Sequence, residues 1–158
     1  MKPLSGLFYR LKETARAGEI LAPAHSPEGR FHHDGQKAIY LSETPDGCRL
    51  AMSYYARPGD PPQTIFSLYL SGARILDLRD AAQCARFGID PVNASIRWQH
   101  ERAAGRIAST WAISDAARAA GADGMLNPSR SRPGLTHLVL FRWNEPGGPK
   151  LVVDGFAG

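Results

Sequence analysis

Apolar and polar positions alternate in short blocks along this chain of 158 residues, and the blocks change period. Residues 7–12 (LFYRLK) have the pattern of a short first strand. A loop rich in Gly, Pro and His occupies residues 18–35. Residues 38–42 (AIYLS), with a glycine before and a proline after, form a buried strand. Pro45 then opens a helix to about residue 56, because proline suits the first helical turn. Residues 57–62 (RPGDPP) break the chain. Residues 64–70 (TIFSLYL) alternate with the period of a half-buried strand. Residues 74–78 form a second strand after a Ser71-Gly72 turn. Residues 80–87 are helical, and 93–108 partly so. Residues 114–120 (SDAARAA) predict a helix capped by Ser114 and ended by Gly121. Residues 124–127 give a short strand that runs into a loop at Pro128. Residues 136–143 (THLVLFRW) are the strongest strand, and residues 150–154 pair with it across Pro146-Gly147-Gly148-Pro149. The order is α+β or mixed α/β, without the regular βαβ alternation of a nucleotide-binding parallel sheet.

Composition narrows the picture only slightly. The length suits one compact domain over residues 1–158, large enough to bury a core without staples. At 43% hydrophobic and 22% charged, the chain has the make-up of a soluble globular protein. Cys48 and Cys84 are too few for a disulfide framework and lack metal-type spacing, so a reducing, cytoplasmic setting is expected. No run of 18 apolar residues predicts a membrane span, and the first ten residues lack a signal peptide's apolar core. The net charge of +4 is scattered, with Arg130-Ser131-Arg132 its one dense group. That dispersal argues against a nucleic-acid-binding domain, which would show a basic stripe. An anionic small molecule explains the charge at least as well, as does a solvated basic surface.

Candidate chemistry is sparse. The sequence has no G-x-G-x-x-G, Walker A, H-E-x-x-H or G-x-S-x-G motif. Adjacent His32 and His33 would diverge on an extended segment, so no metal is expected there. His25, His100 and His137 have no patterned partner, and nothing favours a Cys–His pair. Three positions remain: Arg30 in a glycine-containing loop, Tyr40 in the next strand, and Ser129 in a Pro-flanked loop before the strongest strand. Arginine suits phosphate, a tyrosine ring can stack on a base, and a serine hydroxyl can bond a ribose or an amide. Each also has a plain structural reading: a surface charge, a core tyrosine, a turn cap.

A resemblance separates these readings. Residues 29–45 (GRFHHDGQKAIYLSETP) resemble the N-terminal signature of the RES-domain family, and residues 121–143 (GADGMLNPSRSRPGLTHLVLFRW) its C-terminal signature. Tyr9-Arg10 matches the family's usual opening. The resemblance implies an ADP-ribosyltransferase-like fold, a mixed sheet core with flanking helices. It also implies an enzyme that cleaves the nicotinamide–ribose bond of NAD⁺ by hydrolysis, phosphorolysis or ADP-ribosyl transfer. It implies a toxin silenced by a helix-turn-helix antitoxin. NAD is then substrate, with no metal. Arg30, Tyr40 and Ser129 carry over as catalytic and NAD-binding residues, with Arg10 as a further contact. The family's glutamate falls about eleven residues after Tyr40, where this chain has Ala51. A natural variant, a substitute carboxylate and a Glu→Ala replacement all fit, and the replacement is preferred because it would disarm a toxic enzyme. The nearest acidic residues are Glu43, Asp46 and Asp60, none an obvious substitute. On the helix from Pro45, Leu50 and Tyr54 share the expected core face, with position 51 beside it. The alternative is a non-catalytic module that binds an NAD-like ligand or a protein on the same fold.

Overall fold

The computed structural model describes residues 1–53 and 55–156. Six strands form one mixed sheet: β1 (Lys2–Glu13), β2 (Ile39–Ser42), β3 (Gln63–Asp77), β4 (Gly124–Pro128), β5 (Thr136–Leu140) and β6 (Lys150–Phe156). Their order is β1-β2-β5-β4-β3-β6, and a further β1–β3 pairing closes the first five into a ring. Among the described strands, only β3 and β4 run parallel. The helices are α1 (Pro45–Ser53), α2 (Ala81–Arg86), α3 (Trp98–Ala103) and α4 (Ser109–Ala119), with 3-10 turns at Thr14–Glu19 and Pro91–Ser95. The mixed α+β class therefore holds.

The central strands are apolar on both faces, which is why they read as nearly continuous hydrophobic runs. Leu138 and Leu140 of β5 join Ile39, Leu41, Phe66 and Leu68 in one core cluster. Val139, between them, faces a second cluster with Met125, Ile113 and Ala117, under α4. Leu138, Val139 and Leu140 are all fully buried.

Four expectations need correction. The Ser71-Gly72 turn is not a hairpin. Residues 63–77 are one strand, and Gly72, at φ +68°, is the extra residue of a bulge opposite β1. Glycine tolerates that backbone conformation, and the bulge bends the strand without ending it. The Gly72 N–H donates to Ser5 Oγ at 2.9 Å. The bend takes β3 from β6, which it pairs over Phe66–Ser71, to β4, which it pairs over Ile75–Asp77. Second, β6 pairs with β3 and not with β5, because both edges of β5 are taken by β2 and β4. Third, the last strongly apolar strand stops at Leu140. Trp143 lies beyond it, with its indole N–H donating to Leu21 O at 2.9 Å. Fourth, α4 starts at Ser109, five residues before the expected cap, and Ser114 is a fully buried interior residue. Its end is as expected, with the Gly121 N–H donating to Arg118 O.

Candidate functional site

A cavity of about 920 Å³ opens between β1, the end of β2, α1, the start of α3, and the loops at residues 24–32 and 129–131. That is near the upper end of the ~300–1,000 Å³ usual for small-molecule pockets. Arg10, Arg30, Tyr40, Ala51 and Ser129 all line it. The sequence separates these residues by up to 119 positions, and the sheet order brings them together.

Arg30 sits in a tight turn closed by a bridge between Gly29 and His32. A side chain at Gly29 would collide with the His32 ring and the Tyr40 hydroxyl, so glycine is required by close approach. The turn is fastened on every side. Thr110 Oγ1 donates to Arg30 O, Trp111 Nε1 donates to Gly29 O at 2.8 Å, and an Arg118 N–H donates to Phe31 O at 3.0 Å. The Phe31 N–H donates to the Tyr40 hydroxyl at 3.0 Å, and His32 Nδ1 lies 2.7 Å from the same oxygen. His32 Nε2 must donate to the Ser26 carbonyl at 2.7 Å, which leaves Nδ1 to accept from Tyr40. Burial raises the Tyr40 phenol above its ordinary range, despite the Phe31 N–H. Tyr40 therefore has two ends: its hydroxyl holds the Arg30 turn, and the residue also lines the cavity.

The Arg30 guanidinium donates to Asn127 Oδ1 at 3.0 Å and to Ala94 O at 2.7 Å, both uncharged acceptors. Burial lowers its pKa to about 10, so it stays charged at neutral pH. Arg10 is held alike, with one nitrogen donating to Ile20 O and Ala22 O at 2.7 Å, and burial brings it to about 10. Ser129 is buried. Its N–H donates to Leu135 O and its Oγ accepts from the Arg132 N–H at 3.3 Å, so it does cap a turn while lining the cavity.

Ala51 is half-buried on the cavity side of α1. The core face of that helix is set by Gly47 and Cys48, and Leu50 is only half-buried. The expected partner of Leu50, Tyr54, lies outside the described residues. Glu43, Asp46 and Asp60 do not line the cavity. Asp46 pairs with Arg49 at 2.9 Å, and Asp60 accepts from the Arg57 N–H at 2.7 Å. Among the described residues, the lining carboxylates are Glu13 and Glu28, and Glu28 is held by both sides of the Arg102 guanidinium at 3.0 and 3.1 Å.

Sequence reasoning missed several parts. Asn127 is buried and orients Arg30; its signal was a lone amide in the apolar β4. His137 Nδ1 lies 2.7 Å from Ser42 Oγ, and burial with Arg30 nearby lowers it to about 4. Cys48, on the same wall, is pushed up to about 11 by burial, so it is held as a thiol. Trp98 and Tyr55 add aromatic surface. The rings of His32 and His33 do diverge: His33 reaches Asp115 at 2.9 Å and Asp34 at 2.7 Å.

A ring-closed mixed sheet with a basic, partly aromatic cleft of small-molecule size beside a buried arginine turn defines the class of this α+β protein. The sequence matches the model of the RES domain over residues 6–156, and the chain belongs to that family. A chain in the crystal structure of the M. tuberculosis MbcT–MbcA toxin–antitoxin complex has the same fold. It superposes with a TM-score of 0.64 at 17% identity, covering 98% of this chain and 84% of that one. No curated protein matches the chain. Among the described residues, no helix is long and apolar enough to cross a membrane.

Proposed function

We propose that the chain acts on NAD⁺ at the nicotinamide–ribose bond, as the toxin of a toxin–antitoxin pair, and that Ala51 makes its turnover slow. The observation that carries this reading is the Arg30 turn. A desolvated guanidinium, bound only to neutral oxygens among its described partners, is presented to a cavity of ligand size. Such a group is poised for phosphate oxygens. Arg30 and Arg10 would hold the pyrophosphate. Ser129, whose Oγ accepts from the Arg132 N–H, has its own hydroxyl proton to offer the ribose or carboxamide. Tyr40 would pack beside the nicotinamide end. The C–N bond breaks with its electron pair going to nicotinamide, through an oxocarbenium-like state. Water, phosphate or a protein side chain then adds at the anomeric carbon and loses its proton. A carboxylate at position 51 would stabilise that positive charge and the ribose hydroxyls. Ala51 supplies neither.

The test is nicotinamide release from NAD⁺ by the chain and by its Ala51→Glu variant. Losing one preorganised electrostatic contact costs ~10²–10³ in rate, so the variant should be faster by about that factor. Equal, measurable turnover in both would remove position 51 from the catalytic set. The absence of turnover in both would favour the second reading, a non-catalytic ligand-binding module, which the uncharged surroundings of Ala51 support. The partner proposed is a helix-turn-helix antitoxin that covers the cavity. Its co-purification with the product of the neighbouring gene is the expected outcome.

A further inference from the structure

The charge around the cavity is one-sided. Six cationic side chains line it: Arg10, Lys12, Arg16, Arg30, Arg97 and Arg130. Among the described residues, Glu13 and Glu28 are the opposing carboxylates, and Arg102 already neutralises Glu28. Arg16 has its own partner in Glu19, at 2.6 Å. The two guanidiniums deepest in the protein, Arg10 and Arg30, rest on backbone carbonyls and an amide. Among the described residues, the wall given by α1 and the end of β2 is uncharged: Ser42, Cys48, Leu50, Ala51 and Met52 line it, with His137 against Ser42. A neutral His137 and a protonated Cys48 add no negative charge there.

We infer that the cavity prefers ADP-ribosyl compounds whose far end is uncharged over NAD⁺ itself. The inference rests on the reading above, that an ADP-ribosyl dinucleotide enters this cavity. The pyrophosphate is common to NAD⁺, NADH and ADP-ribose, and the arginines attract it equally in all three. The ends differ. Oxidised nicotinamide is a cation, reduced nicotinamide is neutral, and ADP-ribose ends in a neutral sugar. Removing a cation from water requires a compensating charge or dipole. Among the described residues, the wall around Ala51 offers no carboxylate to do so, and the cationic lining repels it. A carboxylate at 51 would supply the missing partner, so the same alanine that slows bond cleavage also turns the ligand preference toward the product side. Substrate is held weakly and the ADP-ribosyl product firmly.

The experiment is a calorimetric titration of the intact chain with NAD⁺, NADH and ADP-ribose at low salt. Released nicotinamide is measured in the same samples, so that cleaved NAD⁺ is not scored as bound. NADH and ADP-ribose should each bind about tenfold more tightly than NAD⁺, equivalent to 1.4 kcal/mol. In the Ala51→Glu variant the gap between NADH and NAD⁺ should narrow severalfold. NAD⁺ binding as tightly as NADH to the unsubstituted chain would overturn the inference and leave the proposed function standing. Failure of all three to bind would overturn both. The comparison in the unsubstituted chain decides the matter even where the variant does not fold.

Discussion

Tyr40 shows how a residue expected to touch a ligand can also act through its neighbours. Its ring position follows from the strand, but its hydroxyl lies inside the Arg30 turn, where it accepts from the Phe31 N–H and bonds His32 Nδ1. Phe31 and His32 are almost fully buried, so the loss of that oxygen leaves a donor and an acceptor without water to replace it. Each such buried group left unpaired costs about 1–3 kcal/mol. Tyr40→Phe keeps the ring and removes only the oxygen. If stacking were the whole role, the variant would match the parent. Instead, its unfolding free energy in urea should fall by about 2–6 kcal/mol, the cost of two such groups, and its dinucleotide affinity should fall too, as Arg30 loses its fixed place. Parental values for both would show that the hydroxyl does not position the turn. Asn127 belongs to the same argument. Its amide oxygen accepts from the Arg30 guanidinium, from a strand where an apolar residue would otherwise sit.

Elements were legible in the sequence where their signals are local. Asp80 caps α2 by accepting from the Gln83 N–H, and the expected helix over 80–87 contains it. The proline at 45 opens α1 as expected. Elements were misplaced where the deciding partner is distant. The N-terminus of α4 has no side-chain cap of its own, since Ala108 stands at the cap position. The acceptor comes from α3: Glu101 Oε1 takes the Ser109 N–H at 2.8 Å, and Oε2 takes the Ser109 hydroxyl at 2.5 Å. Ser114, expected as the cap from local sequence, is therefore interior to the helix. The site divides in the same way. Arg30, Tyr40, Ala51 and Ser129 were picked out by motif resemblance. Thr110, Trp111 and Arg118 were invisible because only tertiary packing brings α4 against the Arg30 turn. The borrowed cap is testable. Glu101→Ala should lower stability by about 1–2 kcal/mol, the usual value of an N-cap, and the melting temperature by about 2–4 °C per kcal/mol in a chain of this size. Glu101→Gln, which keeps an acceptor, should lose less. An unchanged melting temperature in Glu101→Ala would mean that α4 is fixed by its buried face alone.

At the scale of the whole molecule, two histidines pull stability in opposite directions as pH changes. His137 is pushed by burial, and by Arg30, from its ordinary 6.5 to about 4. The unfolded chain therefore takes up this proton first, so the contribution is fully present above 6.5 and is lost as pH falls toward 4. For His33, burial acts downward, but the hydrogen bonds to Asp115 and Asp34 outweigh it and the pKa is raised. Its contribution is fully present below 6.5 and is lost as pH rises through the folded value. The carboxylate of Glu101, lowered mainly by the Ser109 hydroxyl, weakens only as pH drops below its ordinary 4.5. A comparison between pH 7 and pH 5 thus isolates the histidines. His137→Gln removes the titrating ring and keeps an amide that can bond Ser42. In urea unfolding, the parent should lose stability between pH 7 and pH 5 to the extent that His137 outweighs His33. The variant should lose less, or gain, because the opposing His33 contribution remains. An identical pH dependence in parent and variant would mean that His137 is not held neutral by the fold. The uncharged character of the wall beside Ala51 would then hold only at higher pH.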